Sequence, residues 1–220
     1  MASAERPRIL LLSLAYRDFL DEVYCTLFSR LSELANIKRA KTANAALQII
    51  GETTFKAIII TDEGLAESNQ ENQEVLVKIK AYVEKGGIAI VGLHFPNFTP
   101  MDKFRRFFEA FGLAWKNGDY HRTTFRLNPS VLLPESIEAA SLPGPYSMKV
   151  LHVKNAKRQE KIFIPIEGAV TQSLVFPPDY VNQTQAAVAG ARLGWGYLIY
   201  CGDVNGEDGS NQLILALCGF

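Results

Sequence analysis

The chain has 220 residues, of which 48% are hydrophobic and 21% are charged, so we expect a single domain over residues 1–220 with a full core. Lys and Arg together number 23, as do Asp and Glu, and the formal net charge is therefore zero. Because this balance provides no overall field for nucleic acid or an anionic membrane, we predict neither as a partner.

The cysteines and the start of the sequence indicate the compartment. Cys25, Cys201 and Cys218 are odd in number and widely separated, which argues against a disulfide scaffold and favours a reducing environment. The opening segment, MASAERPR, is too short and polar for a secretory signal, and no apolar run reaches membrane-spanning length. We therefore expect a cytoplasmic protein.

The first half of the sequence alternates strands and helices. Strands are predicted at Arg8–Leu14, Ile37–Lys41, Ala57–Thr61 and Ile88–Val91. The first, third and fourth lack polar alternation, which is typical of strands covered on both faces. Helices are predicted between and after them, at 19–34 and 42–50, from about Glu71 to Lys85, and at 99–111. Short connections between these elements predict right-handed βαβ units, hence a three-layer α/β fold whose mostly parallel sheet carries helices on both faces.

After Leu113 the pattern changes. Short strand-like pieces are predicted at Tyr120–Leu127, Lys149–Val153, Lys161–Ile166 and Leu174–Phe176. Pro, Gly and polar turns separate these pieces, and we interpret 116–185 as an irregular insertion. Ala186–Leu193 and Tyr197–Cys201 then predict a hairpin around Gly194-Trp195-Gly196, followed by a helix at Gln212–Leu217. This part of the chain predicts an antiparallel C-terminal extension.

Chemistry-bearing residues follow several predicted strands. His94 comes just after Ile88–Val91, at the carboxyl edge where open α/β sheets bind ligands, and Asp203 comes after the last strand. We expect His94 to act as a general acid or base that Asp203 orients. The alternative is that His94 only hydrogen-bonds a neighbouring loop.

Candidate binding residues lie at the same predicted edge. They are Tyr16, Arg17, Asp62, Glu63, Gly64 and Asn205. A carboxylate here could bind sugar hydroxyls, and Arg17 could clamp an anion. The structural alternative is that the acidic residues cap helices and that Arg17 is a solvated loop residue.

The other histidines, the cysteines and the loop after the first strand indicate neither a metal site nor a cofactor. His121 and His152 have no partners at ligand spacing, so no metal site is predicted. Cys201 is interpreted as a small residue filling space in a strand, with a displaced nucleophile as the alternative. The first strand runs into Ser13-Leu14-Ala15-Tyr16 rather than a glycine-rich phosphate loop, so no nucleotide or flavin cofactor is expected.

Two segments of the sequence carry a family resemblance. Tyr82–His94, with the pattern Y-V-x-x-G-G-x-x-x-V-G-L-H, resembles the helix–strand–G-L-H segment of the ThuA-like (trehalose-utilisation) branch of the class I glutamine amidotransferase-like superfamily. Gly194–Asp203, followed by a terminal helix, is similar to the ending of that family. The resemblance implies a flavodoxin-like strand order and a small polar, carbohydrate-derived metabolite.

The resemblance also has departures. Amidotransferases of the superfamily place a cysteine nucleophile in a G-x-C-x-G turn, whereas this chain has Gly92-Leu93-His94-Phe95-Pro96. Imidazole replaces a thiolate poorly, and Pro96 has no N–H to offer an oxyanion, so the usual glutamine hydrolysis is excluded. The family's histidine after the last strand is Asp203 here.

Two functions remain open from the sequence. One is binding or transformation of a small metabolite by the residues named above. The other is a catalytically inactive module for protein interaction, whose partner surface would lie in Tyr120–Gln185.

Overall fold

The computed structural model describes residues 6–220, and residues 1–5, which begin the segment interpreted above as lacking a secretory signal, lie outside the described part. One nine-stranded sheet has the order β2-β1-β3-β4-β9-β8-β7-β5-β6. The strands are β1 (Arg8–Leu12), β2 (Asn36–Ala40), β3 (Ala57–Ile60), β4 (Ile88–Val91), β5 (Lys116–Leu127), β6 (Tyr146–Lys154), β7 (Lys161–Pro165), β8 (Val188–Leu193) and β9 (Gly196–Cys201). The helices are α1 (Phe19–Val23), α2 (Cys25–Leu34), α3 (Ala43–Glu52), α4 (Gln70–Glu84), α5 (Phe95–Phe98), α6 (Met101–Ala110) and α7 (Asp208–Leu217).

The half of the sheet from β2 to β9 is parallel and lies between two helical layers. Its residues alternate between the two faces, because neighbouring side chains of a strand point in opposite directions. In β1, Leu10 and Leu12 pack into the core that contains α3, α4 and α6. Ile9 and Leu11 pack into the core that contains α1, α2 and α7. The three-layer prediction is confirmed for this half of the sheet.

The other half of the sheet is antiparallel, so the prediction of a mostly parallel sheet is borne out only in part. Four strand pairs are parallel and four are antiparallel, since β8, β7, β5 and β6 follow β9 in antiparallel pairing. These strands follow one another without an α-helical crossover, which parallel neighbours would need. Residues 116–185 contribute three of these strands.

The antiparallel strands close on themselves. The Leu151 N–H of β6 donates to the Gly202 carbonyl at 3.0 Å, and Val153 and Ala186 exchange two backbone hydrogen bonds of 2.8 and 3.0 Å. The last strand of the sheet order therefore returns to the segments that flank the β8–β9 hairpin. A Cβ at Gly202 would lie 2.3 Å from the Leu151 carbonyl oxygen, so this junction requires glycine.

Several predicted elements differ in detail. The predicted helix from Phe19 to Leu34 is two helices that meet at Tyr24. Leu174–Phe176 is not a strand: Leu174 is fully exposed, and the three residues form the tip of a loop. The last helix begins at Asp208, four residues before its predicted start. Among residues 6–220, none of the helices combines the length and the apolar character that crossing a bilayer requires.

Candidate functional site

The carboxyl end of β4 makes a sharp turn into α5. Leu93, buried in this turn, has a φ of +57°, a left-handed conformation that a residue other than glycine adopts at a cost of about 1–2 kcal/mol. Two backbone hydrogen bonds to the end of β3 hold the turn, from Gly92 N–H to the Ile60 carbonyl at 3.1 Å and from His94 N–H to the Thr61 carbonyl at 2.9 Å. Backbone strain of this kind is concentrated at functional sites, and here it positions His94.

The His94 imidazole is enclosed by aromatic rings. It is 2% exposed, and its ring centroid lies 4.7 Å from that of Phe19, 5.2 Å from Phe98 and 5.7 Å from Tyr24. His94 Nδ1 and the Tyr24 hydroxyl are both buried without a hydrogen-bond partner in the protein. Burial, reinforced by the charge of Arg17, lowers the pKa of His94 to about 4. The imidazole is therefore neutral at pH 7.

Arg17 and Glu63 form a two-point ion pair beside these rings. Arg17 Nη2 lies 2.6 Å from Glu63 Oε1, and Nη1 lies 3.0 Å from Oε2. The guanidinium carbon lies 4.0 Å from the centroid of the Phe98 ring. We call Arg17, Phe19, Glu63, His94 and Phe98 the rim cluster. Because Glu63 neutralises Arg17, the cluster has no net charge when His94 is neutral.

Asp62 and Gly64 join the ends of β1 and β3. Asp62 Oδ1 accepts hydrogen bonds of 3.0 Å from the N–H groups of Ala15 and Gly64. Burial raises the pKa of the Asp62 carboxyl to about 6. A Cβ at Gly64 would lie 2.5 Å from Leu14 Cβ, so the two loops approach too closely for a side chain. These contacts position the loop that carries Arg17.

Tyr16 and Asp203 are engaged in other contacts, and Asn205 is exposed. The Tyr16 hydroxyl donates to Asp21 at 2.6 Å, and Lys41 Nζ lies 3.3 Å from the centroid of its ring. Asp203 is buried, which raises the pKa of its carboxyl, and it accepts hydrogen bonds of 2.9 and 2.8 Å from the N–H groups of Asn205 and Glu207. Its carboxylate thus holds the start of α7 and does not orient His94. The Asn205 side chain is exposed.

The sequence does not predict the aromatic partners of His94 as site residues. Phe19, Tyr24 and Phe98 read as apolar positions of helices, and only the structure shows that they meet around one imidazole. One signal was present in the sequence. Phe98 follows His94 by four residues, a spacing that puts two side chains on the same side of a helical turn.

The structure also bears on Cys201 as a nucleophile and on possible metal ligands. Cys201 is 1% exposed, and burial raises the pKa of its thiol to about 12, so it is not a displaced nucleophile. Over residues 6–220, no group of three or more His, Cys, Asp or Glu side chains is arranged to hold a metal ion.

The sequence matches no protein-family model and no curated protein. Solved structures do match the fold. A ThuA-like protein from Bacteroides uniformis superimposes with a TM-score of 0.61 at 12% identity, over 99% of this chain and 91% of that one. A ThuA-like protein from Parabacteroides merdae gives a TM-score of 0.55 at 10% identity, over 97% and 88% of the two chains.

A third similar structure is the β-galactosidase of Rahnella sp. R3, with a TM-score of 0.57 at 14% identity. The match covers 97% of this chain but only 31% of the β-galactosidase. At these identities the likeness establishes the fold, and it confirms the ThuA-like resemblance at that level.

Proposed function

We propose that the rim cluster binds a small polar metabolite of carbohydrate type. The observation that carries this proposal is the pair of half-exposed rings beside a two-point ion pair: Phe19 is 44% exposed and Phe98 is 37% exposed, next to Arg17 and Glu63. Small-molecule sites typically combine an apolar surface with a few fixed polar groups, and a sugar offers one apolar face and a rim of hydroxyls. The names of the similar structures, ThuA-like proteins and a β-galactosidase, are consistent with this ligand class.

The proposed ligand is neutral. The Arg17 guanidinium already pairs with Glu63 at 2.6 and 3.0 Å, so an anionic ligand would have to compete with a bound carboxylate. Sugar hydroxyls, by contrast, can donate to the carboxylate and accept from the guanidinium while the pair stays intact. The neutral state of His94 favours the same class of ligand.

The contacts of the site support binding rather than catalysis. A general acid or base works best with a pKa near the working pH, whereas that of His94 is lowered to about 4. Asp203 is engaged at the start of α7, and Asp62 accepts from two backbone N–H groups. Glutamine hydrolysis would also need a nucleophile that position 94 does not provide.

The test is a calorimetric titration with neutral mono- and disaccharides and with the matching sugar acids. We expect saturable binding of a neutral sugar, at least tenfold weaker for Phe98→Ala, which corresponds to about 1.4 kcal/mol. Phe176→Ala is the matched control, because Phe176 is an exposed ring far along the chain at 73% exposure. Binding of no sugar, or equal weakening by both substitutions, would contradict the proposal.

A protein-interaction module is the second candidate, and one observation favours it. Leu174, Val175, Phe176 and Tyr180 are between 73% and 108% exposed at the tip of one loop. Apolar side chains presented together in this way are typical of interaction sites. This candidate predicts that the mass measured by sedimentation rises with protein concentration for the wild type. The Phe176→Ser variant should stay monomeric. A monomer at all concentrations would exclude self-association through the tip.

A further inference from the structure

His121 on β5 and His152 on β6 are in contact, although their spacing in the sequence predicts no partner for either. Their ring centroids lie 4.4 Å apart with an interplanar angle of 42°. His121 lies opposite Val150, which shares a face of β6 with His152, so the two imidazoles are diagonal neighbours across the strand pair. We call these two residues the histidine pair.

Hydrogen bonding fixes the protonation of one ring. His152 Nδ1 lies 2.9 Å from the Asp119 carbonyl oxygen, which can only accept, so Nδ1 carries the hydrogen. The Nε2 atom of neutral His152 therefore has a free lone pair. His152 is 0% exposed, and its Nε2 has no hydrogen-bond partner in the protein. The Nε2 of His121 is likewise buried without a partner.

The hydrogen bonds behind the His152 ring resemble those that orient metal-binding histidines. The Asp119 N–H donates to Gln185 Oε1 at 2.8 Å, and Gln185 Nε2 donates to Asp119 Oδ2 at 2.8 Å. These bonds fix the backbone carbonyl that orients His152. Metal-binding histidines commonly donate their second ring N–H to a carbonyl or carboxylate in this manner. The arrangement leaves Nε2 as the atom available to a ligand.

Charge also favours a cation at this position. Both Nε2 atoms are buried, and burial favours the uncharged form of an imidazole. Unprotonated imidazole is the form that binds metal ions. The Asp119 carboxylate interacts with both rings and supplies a nearby negative charge.

We propose that the histidine pair binds one borderline divalent ion, Zn²⁺ or Cu²⁺, through its two Nε2 atoms, with water completing the coordination. Zinc binds imidazole nitrogen at about 2.0–2.1 Å, and rings whose centroids lie 4.4 Å apart are close enough for one ion to bridge their nitrogens. With two imidazole ligands, the site prefers zinc or copper to magnesium, which requires oxygen ligands.

The test is calorimetric titration of the whole chain with ZnCl₂ at pH 7.5, in a Cys25→Ser background that removes the exposed thiol as a competing ligand. We expect one saturable zinc site and no heat from MgCl₂. His121→Gln should weaken zinc binding at least tenfold. His94→Gln is the matched control, because it removes another buried imidazole with an unpartnered nitrogen and should leave zinc affinity unchanged.

A second readout does not depend on how the variants fold. In the NMR spectrum of the same Cys25→Ser protein, zinc should shift the ring signals of His121 and His152 and leave those of His94 in place. No saturable zinc binding, or binding that persists in His121→Gln with unshifted ring signals, would overturn the proposal. The pair would then be two buried imidazoles linked by a bound water.

Discussion

The two halves of the sheet hold their histidines in different ways. In the parallel half, His94 lies at a strand end under aromatic rings that are still partly exposed, beside the ion pair of Arg17 and Glu63. In the antiparallel half, His121 and His152 lie within paired strands, and Asp119 and Gln185 close the network behind them. The first arrangement presents a surface to a ligand, whereas the second presents two nitrogen atoms to a single ion.

The difference follows from how each half is built. Parallel strands joined by helices gather their loops at one edge, and the rim cluster uses loops from β1, β3 and β4 at that edge. Antiparallel strands have no such common edge, and the side chains that meet there are set by register.

The largest expected effect is at the junction. In Gly202→Ala the new methyl group would lie 2.3 Å from the Leu151 carbonyl oxygen and 3.0 Å from that of Ala187. Because both contacts are with backbone, we expect a loss of about 3 kcal/mol or more in the free energy of unfolding, measured by urea denaturation. Gly51→Ala is the control: it lies in α3 with nothing within 4 Å of the new Cβ, and should not destabilise. Equal stability of the two variants would contradict the tight junction.

The next effect is a pH dependence in the antiparallel half. The folded-state pKa of His152 is about 4, below its ordinary 6.5, so the unfolded chain takes up the proton first as the pH falls. Stability from His152 is therefore present above pH 6.5 and is lost toward pH 4. Between pH 7.5 and 5.0 the wild type should lose about 2 kcal/mol more than His152→Gln.

The measurement is denaturation of both proteins in the presence of EDTA. Asp62 contributes with the opposite sign, since the pKa of its carboxyl is raised to about 6, but it is present in both proteins and cancels in the difference. If the unfolding free energies of the two proteins change equally with pH, the His152 imidazole titrates normally.

A smaller effect is expected at Asp203, where a substitution tests whether the carboxylate contributes to stability or to sugar binding. Asp203→Asn keeps an acceptor oxygen for only one of the N–H groups of Asn205 and Glu207, which bind different carboxylate oxygens, and it loses the charge at the start of α7. We expect a loss of about 1 kcal/mol in unfolding free energy with sugar affinity unchanged. A variant of normal stability that no longer binds sugar would instead show that Asp203 belongs to the binding site.

The smallest expected effect is at the loop tip. Leu174 is fully exposed, so Leu174→Ser should change the free energy of unfolding by less than about 0.5 kcal/mol. Thermal denaturation checks this, and Leu198→Ser in buried β9 provides the contrast, with a loss of several kcal/mol. A marked loss in Leu174→Ser would mean that the tip packs against the domain.

The parallel half could be predicted from sequence because its signals are local. The run Ile88–Val91 predicts β4 with the bounds it has, and Gly86, with a φ of +110°, ends the preceding helix as expected. In the antiparallel half, the strand order depends on pairings between residues far apart in sequence. Leu174–Phe176 reads as a strand from its side chains, yet no neighbouring strand pairs with it.

The candidate site was predictable in part for the same reason. His94, Arg17 and Glu63 all follow buried strands, and the common edge of those strands brings them together. The contact of His121 with His152 depends on the register that sets His121 opposite Val150, which the positions of the two histidines in the sequence do not reveal. The role of Asp203 was missed because its nearest partners are backbone N–H groups of the following residues.

The return of β6 to Gly202 and Ala186 bears on how copies of the molecule could aggregate. A strand with unpaired backbone groups offers a template to which another chain can add. In the described part of the chain, the sheet order leaves such an outer strand at β2, where Asn36 and Lys38 are exposed. Charged lysines at a sheet border discourage addition, so we expect aggregation to begin from partly unfolded molecules whose β6 has detached.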